Sequence, residues 1–342
     1  MRPSSLMQQT IFFYLLAWVF FIAACHPVQH NEDIQRYEFS EGKMGTLFRI
    51  VLYAEDSLTA TQAASAAFSR IDTLNIILSD YQRDSELNRL SASAGSGKMI
   101  RVSDDLWKVL TTAYQVAEET EGAFDITVGP YVKLWRRARR RRELPATDHL
   151  QEVRASVGYQ HIILDSTHQS VQLTQADMLL DLGGIAKGYA LDEAMEVLQK
   201  HGITAALVDG GGDLRVSDAP PGEKGWALAI EGTAQNENSE NPALFLTHQA
   251  LASSGDLYQF LEADGQRYSH IIDPKTGMGL TNQVRVTILA PTGMLADAYA
   301  SAVSVLGVEK GLAFIENKPG VEALIMREKD GEVGVWKTRG MQ

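Results

Sequence analysis

The chain has 342 residues, 45% of them apolar and 22% charged, a globular balance that excludes a disordered or fibrous protein. Its formal net charge of −12 weighs against a nucleic-acid partner. An anionic ligand must then be met by local lysines, backbone N–H groups or a metal.

Residues 1–24 read as a lipoprotein signal peptide. Arg2 supplies a charged start, and Ile11 to Ala24 is an apolar run too short to cross a bilayer with ease. Ile22-Ala-Ala-Cys25 resembles a bacterial lipobox, in which Cys25 is lipidated and begins the mature protein. A plain secretory signal cleaved elsewhere is the alternative. Cys25 is the one cysteine, so no intramolecular disulfide is possible. His26 stands where Asp would signal retention in the inner membrane. Residues 25–40 are polar and patternless and read as a tether, and residues 41–335 as the folded domain. About 317 residues follow Cys25, enough for one large domain or two closely packed lobes.

Within the domain, Thr46 to Tyr53 is rich in β-formers and predicts the first strand. Leu58 to Leu78 carries apolar residues at helical spacing, with Ser57 or Thr59 as candidate cap. A loop with Tyr81 and Ser85-Glu-Leu87 follows, then a second amphipathic helix from Asp104 to Thr120, closed by Gly122. Gln160 to Asp165 and Ser170 to Leu173 predict a hairpin. Met178-Leu-Leu180 reads as the end of a buried strand. Ala205 to Asp209, Trp226 to Ile230 and Val284 to Ala290 predict further strands, Thr233 to Asn241 an exposed loop, and Met294 to Leu306 a helix capped by Thr292. Strands and helices alternate irregularly, with hairpins and no G-x-G-x-x-G. The pattern favours a mixed-sheet α+β fold over a doubly wound one. Six arginines between Arg136 and Arg142 read first as a solvated loop or helix end, with a patch for an acidic partner or anionic lipid as the alternative.

The most informative segment is Asp181-Leu-Gly-Gly-Ile-Ala-Lys-Gly-Tyr-Ala-Leu-Asp192. A glycine turn enters a helix, so free N–H groups at the helix N-terminus offer a phosphate site. Lys187 falls in or near the first turn, where the helix dipole disfavours a cation unless an anion is held nearby. An ordinary turn with a solvated lysine is the bland alternative. In Gly122 to Pro130, Phe124 beside Asp125 would suit a ring system with N–H or hydroxyl donors, and a buried Phe with a turn-capping Asp fits equally. Asp209-Gly-Gly-Gly-Asp213 permits close backbone approach to a ligand, or simply makes a tight turn. Ser253-Ser-Gly-Asp256 offers hydroxyls and a backbone nest. His270 lies among small polar residues before a Pro274-x-Thr-Gly277 turn, as a general base, a phosphate contact or a structural histidine. Asp297 and Ser301, four apart on one helical face, suit a hard cation such as Mg²⁺ better than zinc.

Together these segments resemble the ApbE family of flavin transferases (FAD:protein FMN transferases), from Met44-Gly-Thr46 to about Gly311. The resemblance rests on Gly122-Ala-Phe-Asp with Thr127-Val-Gly-Pro130, Asp181 to Gly188, Asp209 to Asp213, Ser254-Gly-Asp256, Ser269-His-Ile-Ile-Asp-Pro274 and Ala296-Asp297. It implies an α+β domain of mixed sheets with packed helices, in two closely associated lobes. It also implies Mg²⁺-dependent transfer of FMN from FAD to a threonine or serine hydroxyl of a target protein, with release of AMP. Met44, Tyr81, Ala123, Phe124, Asp125, Asp181, Lys187 and Ile272 then correspond to flavin-nucleotide contacts. The Gly184 carbonyl, Asp297 and Ser301 form the metal set, and His270 and Asp297 are the catalytic pair. Ser301 stands where threonine is common, and Ala300 where some members carry Asp. Hydrolysis of FAD to FMN and AMP and non-catalytic flavin binding are the rival activities. The expected targets are exported flavoproteins, such as subunits of the sodium-pumping NADH:quinone oxidoreductase or Rnf complexes. The expected location is the periplasmic face of a bacterial membrane, through a lipid anchor.

Overall fold

The structure, a computed structural model, describes residues 34–229, 243–255, 260–329 and 332–341. The signal peptide, Cys25, the Thr233–Asn241 loop and Asp256 lie outside the described residues.

The framework is an eight-stranded sheet in the order β1-β2-β6-β7-β10-β13-β14-β15, with every neighbouring pair antiparallel. Its strands are β1 (Gln35–Lys43), β2 (Thr46–Ala54), β6 (Ala206–Gly210), β7 (Leu214–Val216), β10 (Ala250–Ser254), β13 (Val284–Ala290), β14 (Glu322–Lys329) and β15 (Glu332–Lys337). Among the described residues there are also three small sheets: β3 (Ile100–Arg101) with β5 (Ser170–Leu173) and β4 (Ile162–Asp165), β8 (Trp226–Ala229) with β9 (Ala243–Leu246), and β11 (Phe260–Ala263) with β12 (Gln266–Ser269). The helices are α1 (Ser57–Leu78), α2 (Glu86–Ser91), α3 (Asp104–Glu119), α4 (Gly129–Arg141), α5 (Thr147–Val153), α6 (Ala186–Lys200) and α7 (Gly293–Ile315).

Side chains alternate between the faces of a strand, and the large sheet uses both faces. Ile50 and Leu52, Ala250 and Ala252, Val286 and Ile288, and Ala323 and Ile325 enter the main core beneath α1, α6 and α7. Their neighbours Val51, Leu251, Leu289 and Leu324 form a second cluster with Trp226 and Leu246. Residues from Gln35 onward form one compact unit, the large mixed-sheet domain expected from sequence, with an apolar cluster on each face of its sheet.

Several boundaries differ from the sequence reading. The tether gives way at Gln35, because Gln35–Lys43 pairs along its whole length with β2. As an edge strand it packs only Tyr37 and Phe39 against the core, between charged residues, and so lacks an apolar signature. The domain likewise runs past residue 335, to Lys337 in β15. The α1 cap is Asp56, which accepts from the N–H groups of Leu58 and Thr59 at 2.8 and 2.9 Å. Ser85 caps a short helix where a loop was expected. Met178–Leu180 is no strand: Leu179 makes a single parallel bridge to Val128. Helix α7 begins as expected at its Thr292 cap, leaves helical geometry at Gly307 (φ 75°, ψ −175°) where it was expected to stop, and resumes to Ile315.

Two glycines let α6 and α7 cross at backbone distance. A Cβ on Gly188 would stand 2.1 Å from the Gly293 carbonyl oxygen, and one on Gly293 would stand 2.5 Å from that of Gly188. Each helix also caps the other. Ile185, at the N-cap of α6, has no side-chain acceptor, and Asp297 of α7 takes the Gly188 N–H at 3.0 Å. In return Asp192 of α6 accepts from the Gly293 and Met294 N–H groups at 2.7 and 2.9 Å. Gly188→Ala should therefore force the helices apart and cost about 1–3 kcal/mol, read as a lower thermal midpoint; an unchanged midpoint would mean that the contact is not tight.

Candidate functional site

A cleft of about 520 Å³ opens where the α6–α7 crossing meets the sheet edge, the Tyr81 loop, α4 and the His270 turn. Met44 enters it from the β1–β2 turn, where Met44 and Gly45 both have positive φ (48° and 78°). Ala123, Phe124 and Asp125 come from the segment between α3 and α4, and Asp181 and Gly184 from the turn before α6. Lys187 lies in the first turn of α6, as its spacing predicts. His270 and Ile272 follow β12, and Asp297 and Ser301 stand one turn apart on α7. All twelve residues singled out in the folded domain thus border one cleft. Cys25 lies outside the described residues.

Lys187 forms an ion pair with Asp213, whose other oxygen accepts the Ser253 N–H of β10 at 3.0 Å. Burial opposes the ammonium charge, but Asp213 and Asp297 outweigh it and hold Lys187 above its ordinary pKa. The lysine that the helix dipole disfavours is therefore held by carboxylates. Asp297 is buried among the same groups. Burial pushes its carboxyl up to about 7, with Lys187 pulling it down and Asp213 adding to the rise.

The glycine turn is required by its neighbours. A Cβ on Gly184 would come within 2.7 Å of the Ser301 hydroxyl and 3.4 Å of the Phe124 ring. The close approach sets the Gly184 backbone against Ser301, one turn from Asp297 on α7, and a carbonyl, a hydroxyl and a carboxylate are hard oxygen donors whose chemistry fits Mg²⁺. Among the described residues no group of three or more His, Cys, Asp or Glu side chains could hold a metal. A cation here would draw its remaining ligands from backbone, water and ligand oxygens.

Asp125 does serve as a turn cap: it accepts from the N–H and hydroxyl of Thr127 at 2.8 and 2.7 Å and from the Tyr159 N–H at 2.8 Å. Burial nevertheless raises its pKa. The three-glycine turn is also partly mechanical, since Gly211 has φ 75° and a Cβ there would meet the Thr46 hydroxyl at 2.3 Å. His270 is exposed at the cleft, and its turn is fixed from α4, whose Trp135 donates to the Gly277 carbonyl at 2.8 Å.

Sequence reading missed Arg136. Its guanidinium binds Asp80, lies 3.1 Å from Asp181 and sits 4.1 Å above the Tyr81 ring. It neutralises a carboxylate that burial and Asp80 push towards the protonated form. Arg139, one turn on, also borders the cleft. A charge run carries no periodic signal of which members turn inward; the buried Trp135 and Ala138 beside them were the available clue.

The ApbE family pattern matches residues 44–325. The chain belongs to the ApbE family. It is 33% identical over 320 residues to the FAD:protein FMN transferase of Haemophilus influenzae, covering 91% of each chain. It is 35% identical over 313 residues to that of Treponema pallidum, covering 86% of this chain and 85% of the other. Among solved structures it is similar to the flavinyl transferase ApbE of Pseudomonas stutzeri in its apo form (TM-score 0.80, 26% identity, 90% of this chain and 95% of the other). The flavin transferase ApbE of Vibrio cholerae gives a TM-score of 0.79 at 29% identity, over 90% and 98% of the two chains. These ApbE structures share the α+β architecture described above.

The raised Asp297 pKa sets the sign of a pH effect in metal-free protein. The folded-state value lies above the ordinary aspartate value of 3.8, so its contribution is fully present below that pH and is lost as pH rises to about 7. In chelator, Asp297→Asn should melt higher than wild type at pH 8, by up to about 4 kcal/mol of stability, and the gap should close towards pH 4. Thermal denaturation across that range checks it; a wild type more stable than the variant at pH 8 would contradict it.

Proposed function

We propose that this chain transfers the FMN half of FAD onto a threonine or serine hydroxyl of a target flavoprotein, releasing AMP, with Mg²⁺ as cofactor. The observation that carries the proposal is the meeting, in one cleft, of the Lys187–Asp213 pair, the oxygen donors Asp297 and Ser301, and the ring-bearing walls Phe124 and Tyr81. The family names of the relatives point the same way.

In the proposed reaction the acceptor hydroxyl oxygen bonds to the phosphorus of the FMN half. The bond from that phosphorus to the oxygen of AMP breaks, and AMP leaves with the electron pair. The hydroxyl proton goes to His270, which reaches the cleft from the Ser269–Gly277 turn and acts as general base. Lys187 neutralises charge on the diphosphate as the leaving oxygen becomes anionic. Asp297, Ser301 and the Gly184 carbonyl would hold Mg²⁺, which supplies Lewis-acid stabilisation of the diphosphate oxygens. Met44, Ala123, Phe124, Asp125 and Ile272 bind the flavin nucleotide, with Tyr81 and Asp181 at its edge. Tyr81 is 77% exposed, a ring available to cover a bound flavin and keep water from the reacting phosphorus.

We further propose that Cys25 anchors the chain by lipid to a membrane of the bacterial cell envelope, facing the periplasm. Its targets there are exported flavoproteins of the sodium-pumping NADH:quinone oxidoreductase or Rnf type.

Incubation with FAD, Mg²⁺ and an acceptor domain tests the reading. A covalently yellow acceptor is the expected product; free FMN and AMP without labelling would identify a hydrolase. Asp297→Ala should abolish Mg²⁺-dependent turnover, and near-normal activity would refute the metal assignment. His270→Ala should lose transfer while FAD binding survives; loss of FAD binding would make His270 a binding residue instead.

A further inference from the structure

Helix α4 ends in charges that its own stability does not require. Arg136 is engaged by Asp80 and Asp181, and Arg139 borders the cleft. Arg137, Arg140, Arg141 and Arg142 are exposed, and none has an ion pair among the described residues. The helix dipole favours a cation or two in the last turn. It does not account for like charges at i, i+3 and i, i+4 (Arg136 with Arg140, Arg137 with Arg140 and Arg141), which repel along the same helix. Helix α4 contains no carboxylate to offset them, and Glu143, the nearest in sequence, lies past the left-handed cap at Arg142 and forms no ion pair among the described residues, although the chain as a whole carries a net charge of −12. Nor would a ligand in the cleft engage Arg137, Arg140, Arg141 or Arg142, none of which lines it.

The remaining candidate is the second substrate. An acceptor that delivers a hydroxyl into the cleft must lay its flanking residues on the rim, and on the α4 side that rim is cationic. We propose that the exposed arginines of α4, Arg137, Arg140, Arg141 and Arg142, form a docking surface for an acidic segment flanking the acceptor hydroxyl of the target protein. The proposal rests on the transferase reading above. An anionic bilayer is the rival occupant. It is disfavoured because Arg139 makes the patch continuous with the cleft, so a membrane held there would compete with the acceptor for the same rim.

The test uses the full chain and two fluorescent peptides, one with a threonine flanked by aspartates and one with those aspartates replaced by asparagines. The variant is Arg137→Gln/Arg140→Gln/Arg141→Gln, with the triple Arg→Lys variant as control; none of these residues borders the cleft. By fluorescence anisotropy the acidic peptide should bind wild type and the lysine control, more weakly as salt rises. It should lose about ten-fold in affinity to the glutamine variant, with FAD affinity unchanged. The asparagine peptide should bind weakly and equally to all three. Equal binding of both peptides, or no loss in the glutamine variant, would overturn the proposal. So would co-sedimentation of wild type with phosphatidylglycerol vesicles that the glutamine variant loses, if acidic-peptide binding stayed unchanged. Absence of FMN transfer by wild type to a peptide it binds would count against the transferase reading, while the binding measurement still decides the docking surface.

Discussion

The site depends on one helix crossing. At Gly188 and Gly293 no side chain separates the two backbones, so α6 and α7 meet closely enough for each to cap the other. The capping residue of one helix, Asp297, is therefore also a carboxylate that faces the cleft. It lies in the first turn's positive field and within the charge of Lys187, while burial keeps its pKa high. A cation or an anionic ligand bound there would meet groups already held in place by packing, which is how a fold pre-organises charge without moving it at the moment of reaction.

Around this crossing, α4 acts as a second organiser. Its inward residues Tyr131 and Trp135 hold the Gly277 turn that carries His270, and its Arg136 ties the Tyr81 loop to Asp181. One helix thus sets the distance between His270, the exposed Tyr81 ring and the glycine turn. The stack of Arg136 on Tyr81 leaves an exposed ring with a fixed base, a geometry suited to covering a planar ligand.

Much of this was legible from the chain. The β-rich run of β2, the apolar spacing of α1 and α3, the β4–β5 hairpin and the Thr292 cap carry local signals strong enough to read directly. Glycine turns, an awkward lysine and paired oxygen donors are chemically unusual in sequence and drew attention to Gly184, Lys187, Asp297 and Ser301, which border one cleft, whereas Met44, Tyr81, Ala123 and Ile272 were singled out only through the family resemblance. What was not legible is set by distant partners. The edge strand β1 has too few inward apolar residues to show a period. Met178–Leu180 is as apolar as a strand, yet it finds only one bridge. Asp56 outcompetes Ser57 as a cap because its carboxylate reaches two N–H groups. Arg136 differs from Arg137 only in the direction it faces, and Asp213 takes on meaning only when Lys187 arrives from another segment.

The most direct measurement of the central claim is a crystal structure of the full chain soaked with FAD and Mg²⁺. The diphosphate should lie beside Lys187, with a cation in contact with Asp297 and Ser301 and the flavin ring between the Phe124 and Tyr81 walls. FAD bound away from this cleft, or bound in it with the diphosphate remote from Asp297 and Lys187, would contradict it.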